Sequence, residues 1–240
     1  MDLHKVTLTG ADDKTSFTQL IKLSRQYPWA EWGILASVTA RGQKPRYPSL
    51  EWISELVTAK KDTITHCPLS LHLCGKLARK MLLGDWSLFA RDYKDFIPYF
   101  DRMQINFNRN YEIDYTEFAL KWRQHCPGTP IIFQAGAGRQ DHTAHFLDRG
   151  YLALSVFDLS GGTGVYPETW KPLPGPYAGY AGGIGPDNVV ETLQQLESVV
   201  GDQKVWIDME SKIRDESDCF DFDKVSQVLK NVANSAEEIV

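Results

Sequence analysis

A series of short apolar segments carry polar side chains in one alternate phase near their ends: Thr7 and Thr9, Ser37, His72 and Cys74, Gln104 and Asn106, Gln134, Asp158, and Asp208 with Glu210. Asp158, Asp208 and Glu210 are carboxylates, the groups that exchange protons in acid–base catalysis once burial moves their pKa toward neutrality. Asp208 and Glu210 share one strand face and could act as a pair; a salt-bridged recess is the alternative. His72, Gln104, Asn106 and Gln134 can hold a polar molecule by hydrogen bonds. Burying such groups unpaired costs roughly 1–3 kcal/mol each. Taken singly, each fits a hydrated or mutually hydrogen-bonded recess equally well. As a set they predict a pocket for a small polar ligand.

Other residues suit anions. Gly182-Gly183, ahead of Pro186-Asp187-Asn188, lets backbone N–H groups approach a phosphate beside the positive end of a helix. A plain strand-to-helix turn is the alternative. Lys212, next to Ser211, offers a point charge for the same group or offsets Glu210. Arg46 is a planar fork suited to a carboxylate, or a surface arginine. Neither a metal nor a cofactor is expected. Cys67, Cys74, Cys126 and Cys219 lack any C-x-x-C spacing and read as free thiols, and adjacent His66 and Cys67 would face opposite ways on a strand. Gly136-Ala137-Gly138 is followed by Arg139-Gln140-Asp141, without the third glycine of a dinucleotide fingerprint.

These side chains need a scaffold that gathers strand ends. Segments of strand character at 6–10, 32–37, 69–74, 103–107, 130–134, 152–158, 177–184 and 205–209 alternate with helical periodicity. The helices fall near 14–25, 50–58, 76–83, 116–124, 141–148, onward from 186, and 221–232. Roughly eight strand-then-helix units predict an α/β fold, one (β/α)8 barrel domain of parallel strands over residues 1–240, with a doubly wound open sheet as competitor. In a barrel the polar phase faces the lumen, and the site lies at the C-terminal rim. The 26 Lys+Arg against 31 Asp+Glu give a charge of −5 with no basic run, so nucleic acid is not an expected partner. No apolar run is long enough to span a bilayer, and the first residues lack the apolar core of a signal peptide. A cytoplasmic protein with a small-molecule partner is expected.

With those elements in place, the order of motifs resembles that of phosphoribosylanthranilate isomerase through most of the chain. Thr9-Gly10 sits where that family has Cys-Gly, and Lys44-Pro45-Arg46-Tyr47-Pro48-Ser49 looks like its Ser-x-Arg-Tyr segment. Gln104-Ile105-Asn106-Phe107 stands where it has Gln-Leu-His-Gly. Asp158, with Gly161-Gly162-Thr163-Gly164, is similar to its Asp and glycine-rich lid. Ala181-Gly182-Gly183-Ile184-Gly185-Pro186-Asp187-Asn188-Val189 is close to its Gly-Gly-Leu-x-Pro-Glu-Asn-Val, the most specific of these segments. Asp208-Met209-Glu210-Ser211-Lys212 replaces its Asp-Val-Ser-Ser-Gly.

The resemblance implies a barrel enzyme that isomerises an aminoaldose phosphate to an aminoketose. Asp158 would be the general acid, Arg46 would hold an anthranilate-like carboxylate, and Gly182, Gly183, Ser211 and Lys212 would hold the phosphate. Thr9 occupies the place of the catalytic cysteine, and a hydroxyl is a far poorer base than a thiolate. Glu210 adds negative charge where a small serine is expected, and Lys212 replaces a glycine. The expected function is therefore an isomerase-like enzyme with altered chemistry on a phosphorylated or carboxylated sugar-type molecule, its base supplied by Glu210 or His72. The alternatives are a non-catalytic binding or regulatory protein, or a metal-dependent epimerase or lyase using His72, Asp158 and Glu210.

Two further segments carry expectations. Residues 158–176, rich in Gly and Pro, are too long for an ordinary connection and predict a lid over the ligand, with Tyr166 or Trp170 stacking on it. Trp86, Phe89, Tyr93, Phe96, Tyr99 and Phe100 form an aromatic cluster that would cover a barrel end or make a homodimer contact.

Overall fold

The computed structural model describes residues 1–62, 66–107, 110–136, 142–159 and 163–237. Strands β1 (Asp2–Thr9), β2 (Ala30–Ala36), β3 (Leu69–Leu73), β4 (Arg102–Ile105), β5 (Ile131–Ala135), β6 (Ala153–Asp158), β7 (Tyr177–Ala181) and β8 (Lys204–Met209) run parallel in sequence order. β8 pairs back onto β1, Asp208 opposite Thr7, which closes the barrel. The sheet is thus closed, as expected from the unit count, and the open-sheet alternative is excluded.

Around it lie α1 (Phe17–Gln26), α2 (Leu50–Asp62), α3 (Gly75–Leu82), α4 (Ser87–Asp92), α5 (Tyr115–His125), α6 (Thr143–Leu147), α7 (Val189–Val200) and α8 (Phe222–Glu237). Their starts follow local chemistry. Ser16 Oγ accepts the Gln19 N–H ahead of α1, and the Asp114 carboxylate accepts those of Thr116 and Glu117 ahead of α5. Among the described residues no helix is long and apolar enough to cross a membrane.

The outward strand phase is apolar and fully buried beneath these helices: Val6, Leu8, Trp32, Ile34, Leu69, Leu71, Met103, Ile105, Phe133 and Ile207. Each such side chain contributes about 1.5–3 kcal/mol on burial. The inward phase divides the lumen. Ile132, Val156 and Trp206 form a small apolar cluster against β5, β6 and β8, and the Trp206 ring lies where a Cβ on Gly179 would meet its Cε2 at 2.2 Å. On the other side Arg102 donates to both Glu31 oxygens, with Thr7 Oγ1 2.9 Å from Glu31 and the Trp206 ring 4.2 Å from the guanidinium carbon.

One expectation needs correcting, the stacking role given to Tyr166 and Trp170. Among the described residues no helix follows β6. Instead Trp170 packs outside the barrel against Phe157 and Tyr180, its Nε1 donating to Gln195 of α7, and the Tyr166 hydroxyl also reaches Gln195. These rings fill the space a helix after β6 would occupy, so they face away from the mouth and cannot stack on a ligand there. Gly161 and Gly162 of the lid motif lie outside the described residues, as do 137–141. The aromatic cluster is divided: Phe96 and Tyr99 are partly exposed, and Phe100 is buried. Trp86, Phe89 and Tyr93 are buried in the outer layer, Trp86 against Phe118 and Trp122 of α5, while the Tyr93 hydroxyl donates to the Ser37 carbonyl.

Candidate active site

The polar strand phase converges on one cleft at the C-terminal mouth, with about 510 Å³ of atom-free space. His72, Gln104, Asn106 and Gln134 form one wall, Asp158 and Asp208 the floor, and Glu210 part of the rim. Gly182, Gly183, Ser211 and Lys212 close the far side. Thr9 is buried just beneath, and Arg46 stands behind Glu210.

Thr9 does not carry a free hydroxyl. Its Oγ1 donates to Asp208 Oδ1 at 2.7 Å, and Gly33 makes room for it, since a Cβ there would lie 2.1 Å from that oxygen. Burial pushes the Asp208 pKa up to about 7, even though the Thr9 hydrogen bond and the Arg102 charge pull it down. His72 Nδ1 is 4.0 Å from Asp208 Oδ2, and its Nε2 pairs with Ser70 Oγ at 3.1 Å. Complete burial lowers the His72 pKa to about 4, so this ring is neutral near pH 7 and is a hydrogen-bonding group there. Asp158 Oδ2 accepts a hydrogen bond from Gln134 Nε2 at 3.1 Å. Gln134 is itself fixed, its Oε1 accepting from the Phe107 N–H. Gln104 Nε2 donates to Asn106 Oδ1, while Gln104 Oε1 is buried with no partner among the described residues.

Arg46 departs from the expected role. Its Nε and Nη2 donate to Asp218 and its Nη1 to Glu210 Oε1 at 2.7 Å, with Ser211 Oγ at 3.2 Å. The fork is taken up by two of the protein's own carboxylates, so it is not presented to a ligand. Burial opposes the charge on Arg46, but those hydrogen bonds outweigh it and keep the guanidinium protonated. Burial also raises the Glu210 pKa, and Arg46 offsets part of that rise.

Arg46 has φ +75°, a conformation disfavoured for side-chain-bearing residues, and its N–H is tied to Asp12 Oδ2 at 2.7 Å. Arg214, nearly fully buried, binds the Gly10 carbonyl, Asp12 and Asp218, and so ties the segments that follow β1 and β8 together. Sequence reasoning missed Asp12, Arg214 and Asp218. A cluster of acids around two arginines was the available signal, but Asp12 lies 202 residues from Arg214 in the chain.

The glycine turn after β7 is built for close approach. Gly183 has φ +62°, and a Cβ on it would meet the Tyr166 N at 2.6 Å and the Gly164 O at 2.8 Å. Residues 164–166 therefore lie directly over this turn, and Gly164 also abuts Ser211. Asn188 holds the turn's shape, accepting from Gly185 N–H and donating to the Gly183 carbonyl. The N–H groups of Gly183 and Ile184 donate to no other described residue. Among the described residues no group of three His, Cys, Asp or Glu side chains is placed to hold a metal ion, so His72, Asp158 and Glu210 do not form the set that the metal-dependent alternative needs.

No family model matches the sequence, and neither does any curated protein. Among solved structures the chain is similar to the phosphoribosyl anthranilate isomerase of Thermus thermophilus at 14% identity and a TM-score of 0.56, covering 96% of this chain and 98% of that one. It is similar to TrpF of Jonesia denitrificans at 13% identity and a TM-score of 0.56, over 97% and 98% of the two chains. A phosphoribosyl anthranilate isomerase in complex with reduced 1-(o-carboxyphenylamino)-1-deoxyribulose 5-phosphate matches at 15% identity and a TM-score of 0.54, over 98% of this chain and all of that one. At these identities the likeness establishes the fold: a closed, eight-stranded parallel barrel of the kind phosphoribosyl anthranilate isomerases have.

Proposed function

We propose that this protein is an acid–base enzyme of the isomerase type, acting on a small phosphorylated, sugar-like molecule at the mouth of its barrel. One observation carries the reading: two buried carboxylates, Asp158 and Asp208, line a single cleft whose far side is the Gly182-Gly183 turn with Ser211 and Lys212. A strand-end turn of glycines beside a helix start suits a phosphate, and Lys212 adds a charge to it. A structural relative holds a phosphorylated ligand of this class.

In this reading Asp158 gives a proton to the ring oxygen of an aminoaldose, which opens the ring. Ring opening leaves an iminium at C1; Asp208 then removes the proton from C2, and the enolamine so formed takes up a proton at C1 as its C2 hydroxyl becomes the carbonyl of the ketose. A pKa near 7 suits a base working at neutral pH. The Thr9 hydroxyl occupies Asp208 Oδ1 and leaves Oδ2 for the substrate. Thr9 is thus a positioning residue rather than a base, and the carboxylate on the neighbouring strand β8 takes over the work of the missing thiol. Glu210, tethered by Arg46, shapes the rim.

A binding protein without catalysis is the second reading, favoured by the absence of a thiol at position 9 and by the engagement of Arg46 with Asp218. Turnover of phosphoribosylanthranilate by purified protein separates the two. The enzyme reading expects product, with kcat lowered about 100- to 10,000-fold by Asp158→Asn and KM changed little. Binding without product, unaltered by Asp158→Asn, would support the second reading.

A further inference from the structure

The middle of the cleft is rich in acceptors. Asp158, Asp208 and Glu210 line it with Gln104, while Lys212, the one Lys or Arg on its wall among the described residues, stands at the glycine-turn end. The charge on Glu210 is not fully met. Arg46 and Arg214 face Glu210, Asp218 and Asp12, so two guanidinium groups meet three carboxylates. No other cation pairs with these acids among the described residues, which leaves the cluster one positive charge short. Of the three, Glu210 is the one that lines the cleft. Its Oε1 accepts from Arg46, and its Oε2 has no partner among the described residues. In a recess shielded from water such a charge attracts a cation strongly.

Gln104, 4% exposed, is a second acceptor without a donor. Its Nε2 donates to Asn106 Oδ1 at 2.8 Å, Asn106 Nδ2 donates to Cys74 Sγ at 3.3 Å, and that thiol donates to the His72 carbonyl. This relay fixes the amide with Oε1 buried at the cleft and no described residue to meet it. A buried acceptor so placed calls for an N–H or O–H from a ligand.

We infer that the cleft takes a positively charged nitrogen beside Glu210, so that its substrate is the sugar phosphate of a basic alkyl amine. This rests on the reading of the cleft as an aminoaldose phosphate site. In that chemistry the nitrogen is cationic twice, as the iminium left by ring opening and as the secondary ammonium of the aminoketose. Such an ammonium has two N–H groups, one for Glu210 Oε2 and one for Gln104 Oε1. An arylamine nitrogen stays neutral in the product. A carboxylate on the aryl ring would meet Glu210 as a like charge, because Arg46 lies behind it. The polarity of this wall is thus the reverse of the one the resemblance implies. Phosphoribosylanthranilate is then held weakly, with a raised KM, while its conversion remains possible.

Titration calorimetry of the full chain near neutral pH tests this with three aminoketose phosphates that differ in the amine. 1-(Cyclohexylamino)-1-deoxyribulose 5-phosphate has a cationic nitrogen, and its phenylamino counterpart, of similar size, a neutral one. 1-(o-Carboxyphenylamino)-1-deoxyribulose 5-phosphate adds a negative charge. The cyclohexylamino probe is expected to bind about tenfold or more tightly than the phenylamino probe, the gain of a charge-assisted contact, and the carboxylated probe most weakly. Glu210→Gln should erase the gain of the cationic probe over the neutral one, with an unchanged thermal midpoint verifying that the variant is folded. Equal affinity for the cationic and neutral probes, tightest binding of the carboxylated one, or a gain that survives Glu210→Gln overturns the charged-nitrogen site alone. The order of the three probes on the unmodified protein decides this even without the variant. Failure of all three to bind the unmodified protein overturns the sugar-phosphate reading with it.

Discussion

Thr9 and Asp208 form the smallest unit of the proposed chemistry. The hydroxyl stabilises the ionised carboxylate, so Thr9→Val, nearly equal in volume, should raise the Asp208 pKa above its present value of about 7. With Asp208 as base, the rate rises as pH increases through that pKa; the rising limb should move to higher pH in Thr9→Val and vanish in Asp208→Asn. Stability carries the opposite sign. The folded state keeps a proton on Asp208 that the unfolded chain loses near 3.8, so stability should fall between about pH 4 and pH 7. Urea unfolding across that range should show a flatter profile for Asp208→Asn. Much at this scale was legible beforehand. Period-two patterning alone placed Asp158, Asp208, Gln104, Gln134 and His72 in the lumen phase, because strand side chains alternate. What alternation could not reveal was which carboxylate loses the most solvent, or that the Thr9 proton points at Asp208 across 199 residues of chain.

Among the elements, the β6–β7 connection shows where sequence reading stopped. Its length and glycines marked it as unusual, and residues 164–166 do lie over the Gly182-Gly183 turn. Its aromatic residues, however, serve as wall rather than lid, because Trp170 finds Phe157, Tyr180 and Gln195 on the outer side of the barrel. Truncation to Trp170→Ala should then cost about 3–5 kcal/mol of stability by chemical denaturation, as for a buried core aromatic, without a specific loss of ligand affinity. Gly183→Ala should behave differently. A Cβ has no space against Tyr166 N, and the positive φ penalises it further, so the turn and the segment above it must separate. Phosphate affinity should drop by about tenfold or more while the global unfolding midpoint changes little, measurable by titration with inorganic phosphate.

Taken whole, the molecule is a barrel whose lower lumen holds a buried ion pair beneath its polar rim. Arg102 and Glu31 are both almost fully enclosed, and the guanidinium also contributes to the field at Asp208. Removing one partner, as in Glu31→Ala, should destabilise the fold by about 3–5 kcal/mol, whereas Glu31→Leu with Arg102→Met should be near neutral by the same denaturation assay. Neither residue stood out in the sequence, because a single charge in a short apolar strand reads as a strand edge until its partner on another strand is known. The closed ring itself was legible from unit count and motif order, since those depend on local pattern and not on distant pairing. The central claim is that this ring brings a proton donor and a proton acceptor to bear on one sugar phosphate. Its most direct test is proton NMR of phosphoribosylanthranilate and ribulose 5-phosphate incubated with the protein in heavy water. The account predicts that deuterium enters at the carbon next to the reacting centre of at least one of them, and that Asp208→Asn abolishes this exchange. Binding of both without any isotope entering either would contradict it.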